Sequence, residues 1–149
     1  MAEGAPAVTN FDLWLLIAEI HHGVFLVRQR ELRPFGIAPQ QLQILRTIQD
    51  LGADARLFEI AKRAERKLDV ISRQSAIMEY DGLIKRTKDK PKSRLLKLEL
   101  TEKGREMLKI SSESKSLDAA WSFLTAKERL SLYSELKQLL SKINESAAG

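Results

Sequence analysis

KLDVISRQSAIMEYDGLIKRTKDKPKSRLLKLELT, residues 67–101, changes its periodicity half-way along. Up to Tyr80, Ile71, Ser75 and Met78 recur at i, i+4 and i+7, the spacing of one face of an α-helix. Asp81-Gly82 then stops the helix, because glycine takes a left-handed conformation without steric cost. Beyond it, LIKRT and RLLKLEL are short and β-prone, and KDKPKS, with Pro91 near the tip, separates them as a hairpin loop. A helix followed by a two-stranded ribbon is predicted. The ribbon is heavily charged: of the thirteen residues from Lys85 to Lys97, seven are Lys or Arg and one is Asp.

With Ile71, Ser75 and Met78 inward, the helix turns Val70, Ser72, Arg73 and Gln74 outward. An arginine so placed can pair bidentately with guanine, and Ser72 can bond a base or a phosphate. A basic ribbon beside such a helix can lie along a phosphate backbone or reach into a narrow minor groove. Arg73 alone reads more readily as a solvated surface arginine; the basic ribbon that follows it reverses that and turns the reading towards DNA.

The charge map extends this. Residues 56–97 hold 13 Lys and Arg against 6 Asp and Glu, whereas the whole chain carries only +5. A basic middle between near-neutral ends is a footprint of polyanion binding. The 149 residues suffice for one domain, 1–149, and a hydrophobic content of 44% with 30% charge fits a globular protein. Without cysteine there is no disulfide, thiolate zinc site or cysteine redox sensor, which accords with an expected cytoplasmic location. MAEGAPAVTN reads as a frayed terminus, and FDLWLLIAEI, interrupted by Asp12 and Glu19, reads as too short to span a bilayer, so no membrane partner is expected.

Outward from the opening stretch, Asn10 is expected to cap a long amphipathic helix to about Leu32, and RPFGIAP breaks it. Pro39 opens a second helix that buries Leu42, Leu45, Ile48 and Leu51. RLFEIAKRA forms a third, with Leu57, Ile60 and Ala61 inward, and Asp69 is expected to cap the fourth. Thr101 caps a fifth helix running towards Trp121, and TAKE, Thr125 to Glu128, is a capping box that opens a sixth to about Asn144. The fold class is thus mainly α with a small β-ribbon (α+β): two compact helices and a hairpin make a winged helix-turn-helix over 39–101. Phe11, Trp14, Leu117, Trp121, Leu136, Leu140 and Ile143 lie on helical stripes too broad for one small winged domain to cover, so a partner helix is expected.

QLQILRTIQDLG, EIAKRAERKLDVISRQSAIMEYDGLIKR and RLLKLELTEKGREML together resemble the multiple-antibiotic-resistance regulator (MarR) family of winged-helix transcription factors, over about residues 10 to 145. The motifs carrying the resemblance are a helix, an "eLA"-like EIA, a serine-arginine recognition helix, GLI-x-R, and LT-x-x-G from strand to helix. The resemblance implies a homodimer based on helices in 10–33 and 102–145, with one recognition helix and one wing per half-site of a palindromic operator. It implies Ser72 and Arg73 as recognition-helix contacts and Arg94 as the minor-groove arginine. The expected DNA-contacting set is Arg56, Lys67, Asp69, Val70, Ser72, Arg73, Gln74, Arg86, Lys88, Lys90, Lys92 and Arg94. A small anionic or aromatic effector that releases the protein from DNA is implied by the family alone. The chain departs from the family pattern at Lys92, where Asp is usual, and at Ala38 and Arg56, where Ser or Thr often caps a helix at about 1 kcal/mol each.

No catalytic constellation is visible: there is no nucleophile elbow, P-loop or HExxH, so no enzyme and no cofactor are expected. His21 and His22, adjacent on one helix, point about 100° apart and cannot clasp one metal as an i, i+4 pair would. No metal site is expected. The competing reading is a winged helix serving as a general nucleic-acid or protein interaction module, its ribbon attracting any polyanion.

Overall fold

The computed structural model describes residues 4, 7–88, 90–91 and 95–149. In chain order the elements are α1 (Asn10–Leu32), α2 (Pro39–Leu51), α3 (Leu57–Arg63), α4 (Leu68–Tyr80), β1 (Ile84–Lys88), β2 (Leu96–Leu100), α5 (Glu102–Ser112), α6 (Lys115–Trp121) and α7 (Ala126–Ala147). The fold is mainly helical with one small two-stranded antiparallel sheet. Expected from its length as one domain, the chain groups into two compact units, the first ending at Ser114 and the second beginning at Lys115.

The first unit holds the core. Ile44, Leu45 and Ile48 of α2, Ile60 and Ala61 of α3, Ile71 and Met78 of α4, Ile84 and Leu98 of the ribbon and Leu108 of α5 form one buried cluster. Leu42 and Leu51 pack at its edge, and the innermost α2 positions include Ile44, one residue round the helix from the expected stripe. β1 and β2 pair in register from Ile84 opposite Leu100 to Lys88 opposite Leu96. Leu98 also donates its N–H to Ala55 O at 2.8 Å, and Arg56 bridges Lys97, so the segment before α3 adds a third short edge to the ribbon.

Several helix ends follow the expected chemistry and others shift by a residue or two. α1 is capped by Thr9, not Asn10: Thr9 Oγ1 accepts from Asp12 N at 3.1 Å, while Asp12 accepts the Thr9 N–H at 2.9 Å. Both residues can cap; only the reciprocal reach of Asp12 selects Thr9. Thr125 and Glu128 form the expected capping box. Ala38 and Arg56 do stand at uncapped N-termini, and at α2 Gln41 accepts the Ala38 N–H at 2.9 Å in partial compensation.

The fifth helix, expected to continue towards Trp121, ends at Ser112, and Glu113 is extended. Serine hydroxyls compete here for the hydrogen bonds of the next turn. Ser112 Oγ donates to Lys109 O, Ser114 Oγ donates to Glu31 at 2.6 Å, and the Ser111 carbonyl is taken by Arg28. Arg28, buried and paired with Glu31, thereby anchors the C-terminal end of α1 to the end of α5.

The two units leave apolar surface bare in different ways. From Asn10 to Gly23 every residue of α1 is exposed, including Leu13, Trp14, Leu16, Ile17 and Ile20. Within residues 10–35 an 18-residue stretch, with mean hydropathy 1.2, is long and apolar enough to cross a membrane, a property that the expectation from FDLWLLIAEI alone did not include. In the second unit no residue from Lys115 to Gly149 is buried, and Leu130, Tyr133, Leu136, Leu140 and Ile143 of α7 are all exposed.

The strand-to-helix corner is the tightest point of the first unit. Thr101 Oγ1 donates to Gly82 O at 2.6 Å and accepts from Gly104 N at 3.0 Å, while Thr101 N donates to Leu83 O at 3.1 Å. A Cβ on Gly104 would overlap the Leu83 carbonyl oxygen, so the LT-x-x-G spacing is a packing requirement. Gly104→Ala is expected to destabilise the protein by about 1–3 kcal/mol or more, the usual cost of overpacking, read as a lower urea midpoint at unchanged m.

Candidate nucleic-acid interface

The sequence places α4 by burying one face and α3 by a tight turn. Glu65 adopts a positive φ of 51°, and Arg66 N returns to Ala61 O at 3.0 Å, so α4 starts within five residues of the end of α3. The N-cap is Lys67, with no side-chain cap bond; Asp69, expected as the cap, lies two residues on, within the first turn. Its carboxylate there faces the positive end of the helix dipole without bonding the first amides.

Ile71, Ser75 and Met78 are buried as their spacing predicts, and the Ser75 hydroxyl is satisfied by Ser72 O at 2.7 Å. The opposite face carries Arg73, exposed to solvent, flanked by half-buried Val70, Ser72 and Gln74. Arg73 Nη2 stands 3.7 Å from Asp69 Oδ2, with both side chains at least 70% exposed.

A carboxylate joins this helix to the ribbon. Glu79, in the last turn of α4, accepts the Arg86 backbone N–H at 2.7 Å and the Arg86 Nε–H at 3.3 Å. β1 is an edge strand, and Glu79 satisfies an amide that its ladder with β2 leaves over. The Arg86 amide holds the Glu79 carboxyl below the ordinary glutamate range. The Leu83 N–H to Met78 O bond, 2.9 Å, closes the same corner. Arg86, counted among the DNA contacts from its charge, therefore has its Nε engaged within the fold.

Lys88 ends β1 in solvent and Lys90 is exposed in the loop; Lys92 and Arg94 lie outside the described residues. Lys67 is exposed at the start of α4. Arg56 is half-buried at the ribbon's third edge, 3.8 Å from Asp54. Thus α4 and β1 bring Arg73, Lys67 and the Lys88 end into one unit, while Arg56 belongs to the strand-edge side of it. Lys62, Arg63 and Arg66, exposed around the α3–α4 turn, add positive charge that the sequence reading counted without assigning. AKRAERK was the available signal.

His21 and His22 are exposed on α1, and among the described residues no group of three His, Cys, Asp or Glu could hold a metal. No family model and no curated protein matches the chain. Solved structures do. AbsC, a MarR family transcriptional regulator from Streptomyces coelicolor, superposes with a TM-score of 0.75 at 20% identity, over 95% of this chain and 99% of that one. The fold is that of the MarR family. S. aureus MepR in its complex with DNA gives 0.75 at 21% identity, over 87% of this chain and 96% of MepR. An organohalide-sensing transcriptional regulator bound to 2,4-dichlorophenol gives 0.75 at 23%, over 95% and 88%. The MarR-type elements are all present, from the helix-turn-helix α3–α4 to the wing β1–β2.

The Glu79 bond has a pH consequence. Its folded pKa is depressed, so the stabilisation is present above the unfolded carboxylate value and is lost as pH falls through the folded one. Glu79→Ala is expected to speed hydrogen exchange at the Arg86 amide at neutral pH. In the parent protein the same amide is expected to lose protection only on acidification below the ordinary carboxylate range.

Proposed function

We propose that this protein is a non-enzymatic, homodimeric, sequence-specific DNA-binding transcriptional regulator, acting in the cytoplasm as a repressor of a palindromic operator. The observation that carries the reading is Arg73, solvent-exposed on a helix whose last turn is tied by Glu79 to a basic β-ribbon. In the major groove, α4 would bring Arg73 to guanine and Ser72 to a base or phosphate, while the wing lysines and Arg94 would track the backbone and minor groove. MepR, of the same fold, has been solved on DNA.

The dimer is supported by the surface that one chain leaves bare. α1 from Asn10 to Gly23 and α7 around Leu136, Leu140 and Ile143 expose large apolar side chains, and Phe11 and Trp14 stack edge to face at 5.6 Å in solvent. Patches of this kind on monomers mark interaction surfaces. A second copy, covering α1 and α7 through two-fold symmetry, would also supply the second recognition helix that a palindrome needs. Leu117 and Trp121, already half-buried, would contribute less. An effector that relieves repression is proposed by analogy with the organohalide-sensing neighbour, solved with 2,4-dichlorophenol and also without ligand.

Selection of bound sequences from a random duplex library tests this reading. A two-fold symmetric motif with half-site centres about 34–36 Å apart is expected; binding that collapses against competitor DNA with no motif would instead indicate general polyanion attraction. Arg73→Ala should cost about 1–3 kcal/mol on the selected site and relax preference at one base position per half-site, with random duplex little affected. Leu140→Glu should give a folded protein of half the native mass by sedimentation, with a parallel loss of operator affinity.

A further inference from the structure

We infer that Asp69 and Arg73 act as one reader, an acceptor beside a donor pair, matched to a G·C base pair in the major groove. This rests on the DNA-binding reading above. The two side chains lie one helical turn apart on the outer face of α4, with Arg73 Nη2 3.7 Å from Asp69 Oδ2 and both in solvent. An exposed i, i+4 pair contributes only about 0.3–0.5 kcal/mol, so fold stability gives little reason for it. A carboxylate on a helix that approaches a polyanion opposes every phosphate contact near it. It gains only where a donor awaits it, and in the major groove cytosine N4 and adenine N6 are the base donors.

The geometry favours cytosine. On a G·C pair, the guanine O6 and N7 acceptors lie beside the cytosine N4 donor. Arg73 supplies two parallel N–H groups to the former, and Asp69, already held next to the guanidinium, supplies an oxygen to the latter. The ion pair then has a second task in the free protein. It keeps the Arg73 guanidinium extended along the helix surface and partly neutralised, so that phosphates of unrelated DNA compete poorly for it. Asp69 is a specificity-determining residue that acts both through its own base contact and through the positioning of Arg73. Glu79, the other acid of α4 with a described partner, faces Arg86 and takes no part.

The test compares the parent protein with Asp69→Asn and Asp69→Ala, in library selection and in titrations on the selected and random duplexes. A G·C pair is expected at one position of each parental half-site. Asp69→Ala should reduce the ratio of specific to non-specific binding about 5- to 150-fold, the equivalent of one good base contact. Much of this should come from tighter binding to random duplex, with a steeper salt dependence. Asp69→Asn, whose amide can both accept and donate, should admit A·T at the same position. The thermal midpoint should fall by only a few degrees and alike in both variants, as loss of one acid near a helix N-terminus and of one exposed ion pair requires. Base preference should differ between them, which separates recognition from folding. An unchanged motif and ratio in both variants would overturn the inference while leaving a sequence-specific regulator intact. If the parent itself selects no motif, the regulatory reading fails first.

Discussion

The bond from the Arg86 amide to the Glu79 carboxylate joins the two parts on which recognition would depend. A helix and a hairpin that follow one another in sequence are free to adopt many angles. Here the end of α4 reaches across the corner at Gly82, whose φ of 77° turns the chain, and binds the first strand directly. Leu83 donates back to Met78, and Thr101 draws Gly82, Leu83 and Gly104 together on the other side. The wing's base is thus set relative to the reading face by backbone hydrogen bonds that side-chain charge reinforces.

The same unit binds α1 by its far end only. Leu32 is in the core, and Arg28 and Glu31 are tied to Ser111 and Ser114 at the close of α5. Burying an arginine demands such partners, because an unpaired guanidinium in that position would cost several kcal/mol. The N-terminal half of α1 has no cover at all. A rigid helix with one end anchored beside the reading unit and the other half apolar and bare suits a dimer in which subunit spacing dictates recognition-helix spacing. The second unit repeats the demand, for its long helix buries nothing within one chain.

Charge on the reading face is more selective than the basic total suggests. Of the cations counted from the sequence, Arg86 has its Nε engaged by Glu79, Arg56 sits at a strand edge near Asp54, and Arg73 has Asp69 beside it. Lys67, Lys88 and Lys90 stand in solvent at the margins. The centre of the face is therefore balanced and its rim is positive, the distribution that the proposed DNA-binding role calls for, with backbone contacts to position and base contacts to specify.

Much of this was legible without coordinates. The inner face of α4, including the buried hydroxyl of Ser75, follows from helical spacing; the ribbon follows from the change of periodicity after Gly82; the Thr101 and Thr125 caps follow from local residue chemistry. These are short-range rules: a helical face and an N-cap are set within one or two turns, and the ribbon pairs segments that one short loop joins. Contacts between distant residues were not legible. The helix break at Glu113 depends on Arg28 and Glu31, some eighty residues earlier. The pairing of Ala55 and Arg56 with the ribbon, and the capture of Arg86 by Glu79, likewise require the folded arrangement. Sequence by itself determined most of the elements and the face that α4 buries, because periodicity and capping act within a few residues. Tertiary structure decided which charges remain available, because an ion pair exists only once the fold has brought its partners within reach.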